Sequence, residues 1–334
     1  MKAVYIREHG EPSALEYGDI DDPTVSADHV VVRVRAASIN RLDLYTRAGI
    51  RGTRQPSNQF PLILGGDSAG DIAEIGSGVT DLKLGDRVVI NPLLSNDPYP
   101  RMIGTHLHGS YAEFVAVPVT NVVPIPDSLP YVQAATLPTV FLPTWSIIMR
   151  EGKLQPHETA MVLSSSSGVG TAAIQIIKGI VGATCIAVTS SEEKIAKSLE
   201  LGADHTINYK TEKLADRVKE ITDNKGVDLV VDSSGALFFE DAYASLSRGG
   251  RFGTCGVTSG YQSQIHLGQL FSKELKVFGV FMGSTDELRQ IVEAAGKGEI
   301  QGVIHRTLPL QEVAAAHEEM ERSEHFGKFV VTVD

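Results

Sequence analysis

The chain has 334 residues, 42% hydrophobic and 21% charged, which excludes a disordered or fibrous protein and predicts about two domains. Its 30 basic and 41 acidic residues leave a net charge of −11 without a basic stripe, which argues against partners such as nucleic acid or an anionic membrane. No apolar run reaches the ~18–20 residues that cross a bilayer. Two cysteines, Cys185 and Cys255, and a charged N-terminal segment predict a cytoplasmic protein without a disulfide framework.

The first part of the chain is rich in short strands and poor in helical periodicity. Gly, Pro and Asp residues separate the strands, which predicts a β-barrel-like unit. The strands are expected at 30–36, 62–64, 69–75, 86–91 and 111–117. Pro124, Pro126 and Pro130 then mark a boundary, and a helix is expected around 131–151.

From Thr159 onward, strands and helices alternate. The predicted strands are 160–164, 184–190, 205–209, 227–234, 251–257 and 275–282. The predicted helices are 169–180, 192–202, 212–222, 236–247 and 285–298. Because the strands are apolar without a period of two, they predict a parallel sheet covered on both faces, a doubly wound α/β fold. The tail, 300–334, reverts to mixed strand and helix and is expected to pack on the first domain.

A run of small residues joins the first of these strands to its helix. In the segment AMVLSSSSGVGT, the G-x-G-x-x-G register places Ser165, Ser167 and Gly170 at the key positions, with Gly168 and Val169 between them. Small residues there let the backbone approach a pyrophosphate at the helix N-terminus. Two of the three glycines are serine, so an ordinary Gly/Ser turn is the simpler alternative.

The end of the second strand bears on the type of cofactor. A carboxylate there would bind the ribose 2′-hydroxyl of NAD, whereas NADP binders supply a cation. The strand ends in small hydroxyl residues that include Ser190, and Lys194 follows one helical turn later. This pattern favours NADPH, although Glu192 or Glu193 is available to a ribose.

At this point the sequence resembles the medium-chain dehydrogenase/reductase superfamily over essentially its whole length. The matching stretches are AASINRLDLYTRAG, PLILGGDSAGDIAEIGSGV, LGDRVV, GSYAEFVAVP, SSSSGVG, LGADHTINY, VVDSSG and GKFVV. The resemblance implies a chaperonin-10-like β-rich catalytic domain from residues 1–127 and 285–334, with a Rossmann dinucleotide-binding domain at 128–284. It also implies catalysis in an interdomain cleft and a homodimer formed through the last Rossmann strand.

The resemblance further points to the zinc-free branch of the superfamily. Zinc alcohol dehydrogenases take a Cys, a His and a further Cys or acid as ligands, and the matching positions here are Asn40, Gly66 and Thr139. The structural-zinc lobe is replaced by the cysteine-free loop 91–108. No metal is therefore expected. The zinc-free branch includes quinone oxidoreductases and enone reductases.

The resemblance also implies roles for individual residues. Asn40 and Tyr45 are expected to donate hydrogen bonds at the substrate carbonyl, unless Tyr45 is only a packing residue. Asp43 is expected to hold the loop, and Asp67 to anchor hydrogen bonds. Further cofactor contacts are expected from Tyr209, Val257, Phe281 and Lys328.

The sequence therefore predicts an NADPH-dependent, zinc-independent oxidoreductase that reduces quinones or α,β-unsaturated carbonyls. Two alternatives remain open. Arg47, Arg51 and Arg54 leave room for a zinc-free reductase of acyl thioesters. The two serines of the glycine motif, together with Pro143 where the family commonly has Thr, leave room for a non-catalytic NADPH-binding protein. His106 and His108 are more simply loop residues than metal ligands, and Cys255 a small buried hydrophobe.

Overall fold

The computed structural model describes residues 1–96 and 98–334, so Asp97, in the loop 91–108, lies outside the described residues. The strands are β1 Lys2–Ile6, β2 Glu16–Asp19, β3 His29–Ser38, β4 Leu62–Ile63, β5 Asp67–Ile75, β6 Arg87–Ile90, β7 Leu93–Ser95, β8 Arg101–Met102, β9 Phe114–Pro118, β10 Val122–Pro124, β11 Thr159–Val162, β12 Thr184–Thr189, β13 His205–Asn208, β14 Val227–Asp232, β15 Leu246–Thr254, β16 Lys276–Gly279, β17 Ile304–Pro309 and β18 Lys328–Thr332. The helices are α1 Arg41–Ala48, α2 Tyr131–Ala134, α3 Pro138–Trp145, α4 Gly168–Gln175, α5 Glu192–Glu200, α6 Leu214–Ile221, α7 Ala236–Ala244, α8 Leu267–Ser272, α9 Thr285–Gly296 and α10 Val313–Arg322.

The chain forms two compact units. The first, unit 1, comprises Met1–Thr139, Ser284–Lys297 and Gly302–Asp334, and the second, unit 2, comprises Val140–Gly283 and Gly298–Gln301. Residues 302–334 therefore pack with the first part of the chain. Residues 128–139 also pack in unit 1, whereas the predicted boundary assigned them to the dinucleotide-binding domain.

Unit 2 is built on a six-stranded sheet in the order β13-β12-β11-β14-β15-β16, in which every neighbouring pair is parallel. The strand order reverses between β11 and β14, the place where such folds bind ligands at the carboxyl ends of the strands. Apolar residues of the strands and of α6 and α7 form its core. The predicted doubly wound α/β fold is confirmed. Strand β16 lies at the edge of the sheet.

Unit 1 is β-rich, and its largest sheet has the path β10-β6-β5-β3-β18-β17, with β9 paired to β3. The two strands that pair with β3 along its C-terminal half, β5 and β18, carry residues of the candidate active site. Strand β3 pairs antiparallel with β5, where Ser38 faces Asp67, and with β18, where Ser38 faces Val330. The ends of three strands that are distant in the sequence therefore meet at one place.

Two parts of the sequence prediction differ from the structure. The segment 41–48, predicted to lack helical periodicity, forms the helix α1, which Gly49 ends in a left-handed conformation (φ 66°). The helix expected around 131–151 is divided into α2 and α3, and π-helical turns continue α3 over Ser146–Glu151. Within residues 1–96 and 98–334, no helix combines the length and apolar character that a membrane span requires.

A bidentate ion pair connects Arg251 of β15 to Glu158, in the turn that precedes β11. Arg251 Nη1 and Nη2 each lie 2.7 Å from a carboxylate oxygen of Glu158, and Arg251 Nε donates to the Gly152 carbonyl at 2.9 Å. Both side chains are largely buried, at 13% and 16% exposed. The hydrogen bond from Arg251 is the main cause that lowers the pKa of Glu158.

We expect Glu158→Gln to lower the free energy of unfolding by about 2 kcal/mol, because a charge-assisted pair is lost. Since the folded-state pKa of Glu158 is depressed, its stabilisation is present above the unfolded pKa and is lost as the pH falls through the folded pKa. Urea unfolding at neutral and acidic pH measures both effects. Glu274→Gln, in the exposed Arg248–Glu274 pair, is the matched control, expected to change stability by less than ~0.5 kcal/mol. An equal loss in the two variants would contradict this interpretation.

Candidate active site and cofactor turn

The turn between β11 and α4 has the backbone proximity that a phosphate-binding turn requires. A Cβ on Gly170 would lie 2.5 Å from the Ser164 carbonyl oxygen and 2.5 Å from Ser165 Cα, so only glycine fits there. Ser167 is the N-cap of α4, and its hydroxyl accepts a hydrogen bond from the Gly170 N–H at 3.0 Å. Gly168 and Val169 are the first residues of the helix.

Ser165 takes the first glycine position and uses its hydroxyl inside unit 2. The side chain is fully buried, and its Oγ lies 3.1 Å from Ser198 Oγ of α5. Ser198 Oγ in turn donates to the Lys194 carbonyl at 2.9 Å. The serine therefore ties the turn to α5, which is a contact that a glycine cannot make.

The end of β12 carries hydroxyl residues and a lysine. Ser190 is half-buried, and Lys194 lies in the first turn of α5, where its N–H donates to the N-cap Ser191. Thr189 is buried, and its hydroxyl has no hydrogen-bond partner among the described residues. The two nearby carboxylates have partners, since Glu193 pairs with Lys197 at 2.6 Å and Glu192 lies 3.5 Å from Asn208 Nδ2.

Four further loops leave the carboxyl ends of the sheet. After β14, Asp232 accepts hydrogen bonds from Ser234 and Gly235, and its pKa is raised by burial. Val257 follows β15, and Phe281 follows β16 with 47% of its surface exposed. Tyr209 follows β13, and its ring packs edge-on against Phe238 at 4.9 Å.

Burial raises the pKa of the Cys255 thiol to about 12, which keeps it neutral near pH 7.

In unit 1, a buried polar network gathers Asn40, Asp67, Thr139 and Lys328. Asp67 Oδ2 accepts from Asn40 Nδ2 at 2.9 Å and from Ser38 Oγ at 3.1 Å. Its Oδ1 accepts from the Thr139 N–H at 3.0 Å and from the Thr139 hydroxyl at 2.6 Å. Lys328 Nζ lies 3.5 Å from Asp67 Oδ2, which makes an ion pair whose two side chains are 4% and 0% exposed.

Lys328 also fixes the orientation of the Asn40 amide. Its ammonium donates to Asn40 Oδ1 and, at 3.0 Å, to the Ile39 carbonyl. In this orientation the amide oxygen faces a donor and the amide nitrogen faces a carboxylate, and a flipped amide would reverse both contacts unfavourably. The sequence predicts that Lys328 contacts the cofactor. In the structure, its ammonium has three hydrogen-bond acceptors within unit 1, on Ile39, Asn40 and Asp67.

Asp43 and Tyr111 form hydrogen bonds at the N-terminus of α1, the helix that begins after Asn40. The Asn40 N–H and the Tyr111 hydroxyl each donate to Asp43 Oδ2 at 2.8 Å. Burial raises the pKa of Asp43 to about 6 and raises that of Tyr111 above its usual value. Gly65 makes room for this tyrosine, since a Cβ there would lie 2.4 Å from Tyr111 Cδ1. Asp43 thus holds the first turn of α1.

Tyr45 lies on α1 and is half-buried. In the described part of the chain its hydroxyl makes no hydrogen bond, and the Arg51 guanidinium lies 4.8 Å from its ring centroid. Arg47, predicted to be available to an anionic substrate, is instead 2% exposed and bound to Glu321 at 2.6 Å. That prediction was wrong because Glu321, 274 positions away, supplies its counter-charge.

Both histidines of the loop 91–108, His106 and His108, use a ring nitrogen in a hydrogen bond to the backbone. His106 Nδ1 accepts from the Met102 N–H at 3.1 Å, and His108 Nδ1 accepts from the Ile63 N–H at 3.3 Å. Across residues 1–96 and 98–334, no three His, Cys, Asp or Glu side chains come together in an arrangement suited to a metal ion.

We expect Lys328→Met to lower the free energy of unfolding by about 3 kcal/mol, because it leaves the buried Asp67 carboxylate without its cation. Lys328→Arg keeps the charge and should lose less. Lys2→Met, in the exposed Lys2–Asp19 pair, is the matched control and should lose less than ~0.5 kcal/mol. Denaturant unfolding measures all three, and a Lys328→Met protein as stable as the control would refute the role of the ion pair.

Two family profiles and many relatives match this chain. Residues 26–127 match the family described as "Alcohol dehydrogenase GroES-like domain", and residues 168–297 match "Zinc-binding dehydrogenase". A quinone oxidoreductase of Pseudomonas aeruginosa is 30% identical over 342 residues and 99% of both chains. An NAD-dependent alcohol dehydrogenase of Sulfolobus acidocaldarius is 29% identical over 349 residues and 100% of both chains.

A solved structure titled as an NAD-dependent alcohol dehydrogenase superposes with a TM-score of 0.94, at 35% identity over 100% of both chains. This likeness extends over both units. The first family match lies within unit 1, and the second covers most of unit 2 and also residues 284–297 of unit 1. The chain belongs to the medium-chain dehydrogenase/reductase superfamily and is a pyridine-nucleotide-dependent oxidoreductase.

Proposed function

We propose that the protein is an NADPH-dependent, zinc-independent reductase of quinones or α,β-unsaturated carbonyl compounds. The observation that carries this proposal is the network of Asn40, Asp67 and Lys328, which contains or adjoins the positions Asn40, Gly66 and Thr139 that match zinc ligands. Gly66 has no side chain to offer, and the Thr139 hydroxyl donates to Asp67. Lys328 adds a positive charge beside the carboxylate.

A zinc ion does not fit this donor set. A stable site needs about three nitrogen, sulfur or oxygen ligands, with thiolates and imidazoles preferred. Here both ends of the Asn40 amide are engaged, and Asp67 already accepts four hydrogen bonds besides the contact with Lys328. We therefore propose a reaction in which no Lewis acid takes part. Quinones and enones suit such a site, because their reduction leaves a delocalised oxyanion that hydrogen bonds can stabilise.

The cofactor residues fit a phosphorylated nucleotide. When bound, NADPH supplies a hydride and becomes NADP⁺. The small residues of the turn after β11 and the N-terminus of α4 would hold its pyrophosphate. Ser190 and Lys194 would hold the 2′-phosphate, which is supported by the partners that Glu192 and Glu193 already have. One relative and one solved structure are named as NAD-dependent. The preference for NADPH over NADH is therefore tested directly below.

Asn40 and Tyr45 would act on the substrate carbonyl. The Asn40 amide has two N–H groups, one of which donates to Asp67, so the second would donate to the oxygen. Lys328, at the amide oxygen, polarises the amide and strengthens this donor. The Tyr45 hydroxyl, which makes no hydrogen bond among the described residues, would be the second donor to the carbonyl oxygen.

The proposal is tested by NADPH oxidation with EDTA-treated protein, offered first a small quinone and then a small enone. We expect turnover to survive chelation, and we expect kcat/KM to be at least about tenfold higher for NADPH than for NADH, since Lys194 favours the 2′-phosphate. Activity that disappears with EDTA and returns with zinc would overturn the zinc-free assignment. NADPH binding without turnover of any acceptor would instead favour the non-catalytic alternative.

Tyr45→Phe should lower kcat by roughly 100-fold, because one donor at the developing oxyanion is lost. The Kd for NADPH should change by less than about twofold, because the predicted nucleotide contacts of unit 2 are intact. Tyr17→Phe removes the hydroxyl of another tyrosine of unit 1, 42% exposed, and should leave kcat unaltered. Steady-state kinetics and a fluorescence titration measure the two quantities. An unaltered kcat in Tyr45→Phe would make Tyr45 a packing residue.

A further inference from the structure

Met282, in the loop that follows β16, has a backbone conformation that its side chain does not favour. Its φ is 57°, in the left-handed region where residues with a Cβ are uncommon. Asn and Asp adopt this conformation more readily, because their short polar side chains bond to the local backbone, and methionine lacks such a group. The Met282 side chain is packed within the protein, at 5% exposed. Strained residues of this kind concentrate at functional sites and persist where the surrounding structure holds them.

The hydroxyl of Ser146 holds Met282 in this conformation. Ser146 is fully buried, and its Oγ donates a hydrogen bond to the Met282 carbonyl at 3.0 Å. At the start of the loop, the Val280 N–H donates to the Thr254 carbonyl of β15 at 3.0 Å. Phe281 lies between these two hydrogen bonds and keeps 47% of its surface exposed. The loop 280–283 therefore presents an exposed ring from a backbone that is fixed on both sides.

Ser146 reaches the loop because its helical segment packs directly on the sheet. The π-helical turns that continue α3 begin at Ser146, and Ile147 is the next residue. A Cβ on Gly253 of β15 would lie 2.6 Å from Ile147 Cγ2, so a glycine at this position lets the segment approach the strand. Gly253 is paired with Phe278 of β16. Ser146 is thereby brought to the end of β16, where the loop begins.

The loop 280–283 lies at the same edge of the sheet as the other candidate cofactor residues. Because the strands of unit 2 are parallel, the turn after β11, the end of β12 and the loop after β16 share the carboxyl edge. Strands β12 and β16 lie on opposite sides of the place where the strand order reverses, between β11 and β14. With the 2′-phosphate at β12 and the pyrophosphate at β11, as proposed above, the nicotinamide half would extend toward β14, β15 and β16.

We propose that Ser146 is a positioning residue, which acts through the Met282 carbonyl to hold the loop 280–283 in the conformation that receives the nicotinamide half of the cofactor. Ser146 is itself buried, so it acts through the loop and does not touch the ligand. The proposal rests on the cofactor site of the proposed function, but not on a particular acceptor or on the choice between NADPH and NADH. A nucleotide that lacks the nicotinamide should bind equally well with and without the Ser146 hydroxyl.

Ser146→Ala should weaken the binding of NADPH about fivefold, because the ligand must then order the loop. The binding of 2′-phospho-ADP-ribose, which has the same nucleotide without the nicotinamide, should change by less than about twofold. NADH and ADP-ribose are titrated as a second pair, so that the result does not depend on which nucleotide the protein prefers. Calorimetry with the full-length protein measures each dissociation constant.

Ser245→Ala is the matched control, because Ser245 is also buried in unit 2 and its hydroxyl donates to a backbone carbonyl, that of Asp241, at 2.7 Å. It should lose a similar amount of unfolding free energy and leave all these dissociation constants unaltered. Ser146→Cys nearly keeps the side-chain volume and keeps a weak donor, so it should recover part of the affinity. Equal weakening of NADPH and of its fragment in Ser146→Ala, or no weakening of either, would overturn the proposal.

A measurement without ligand separates this inference from the proposed function. Amide hydrogen exchange of residues 280–283 should be about fivefold faster in Ser146→Ala, because a hydrogen bond that holds the loop is lost. It should be unaltered in Ser245→Ala. Faster exchange without a selective loss of affinity for the nicotinamide nucleotides would mean that the loop does not receive the nicotinamide, and the proposal would fail. A selective loss of affinity in a protein that reduces no quinone or enone would support the proposal and refute the proposed reductase.

Discussion

The buried ion pair of Lys328 and Asp67 is the interaction on which the proposed active site depends. Removing two charges from water costs several kcal/mol for each ion, and only good geometry and further hydrogen bonds offset that cost. Asp67 receives four hydrogen bonds, and Lys328 donates to Asn40 and to the Ile39 carbonyl. The antiparallel pairing of β3 with both β5 and β18 brings these groups together.

The ion pair of Lys328 and Asp67 also fixes the orientation of the Asn40 side chain at the start of α1. An asparagine side chain in water rotates freely, and a hydrogen bond to a substrate would have to order it. Here Lys328, Asp67 and the N–H bond to Asp43 fix the side chain and the backbone of Asn40 before any ligand binds. Preorganised donors of this kind contribute most to stabilising a developing oxyanion. In the proposed reaction, a lysine charge thus acts on the substrate oxygen through an amide.

Much of unit 2 could be predicted from its sequence, and much of the network in unit 1 could not. The strands of unit 2 are continuous apolar runs between turn residues, and their parallel arrangement follows from the alternation with helices. In contrast, α1 has only eight residues, and four of them are charged or aromatic, so its periodicity is weak. The tail motif GKFVV placed Lys328 near a site, but nothing local in the sequence shows that it pairs with Asp67, 261 positions away. The partners of Arg47 and of Ser165 were missed for the same reason, since both depend on long-range contacts.

The negative net charge of this protein does not exclude binding of a small anionic ligand. A value of −11 argues against a partner that needs a long basic surface, such as nucleic acid, because many phosphates must then be neutralised together. A small anion needs only two or three positive groups at short range, where the charges farther away are screened by salt. In the proposed cofactor site of unit 2, the N-terminus of α4 and Lys194 would provide such groups. An acidic protein can therefore bind an anionic nucleotide, because its local charges, and not their sum, set the potential at each site.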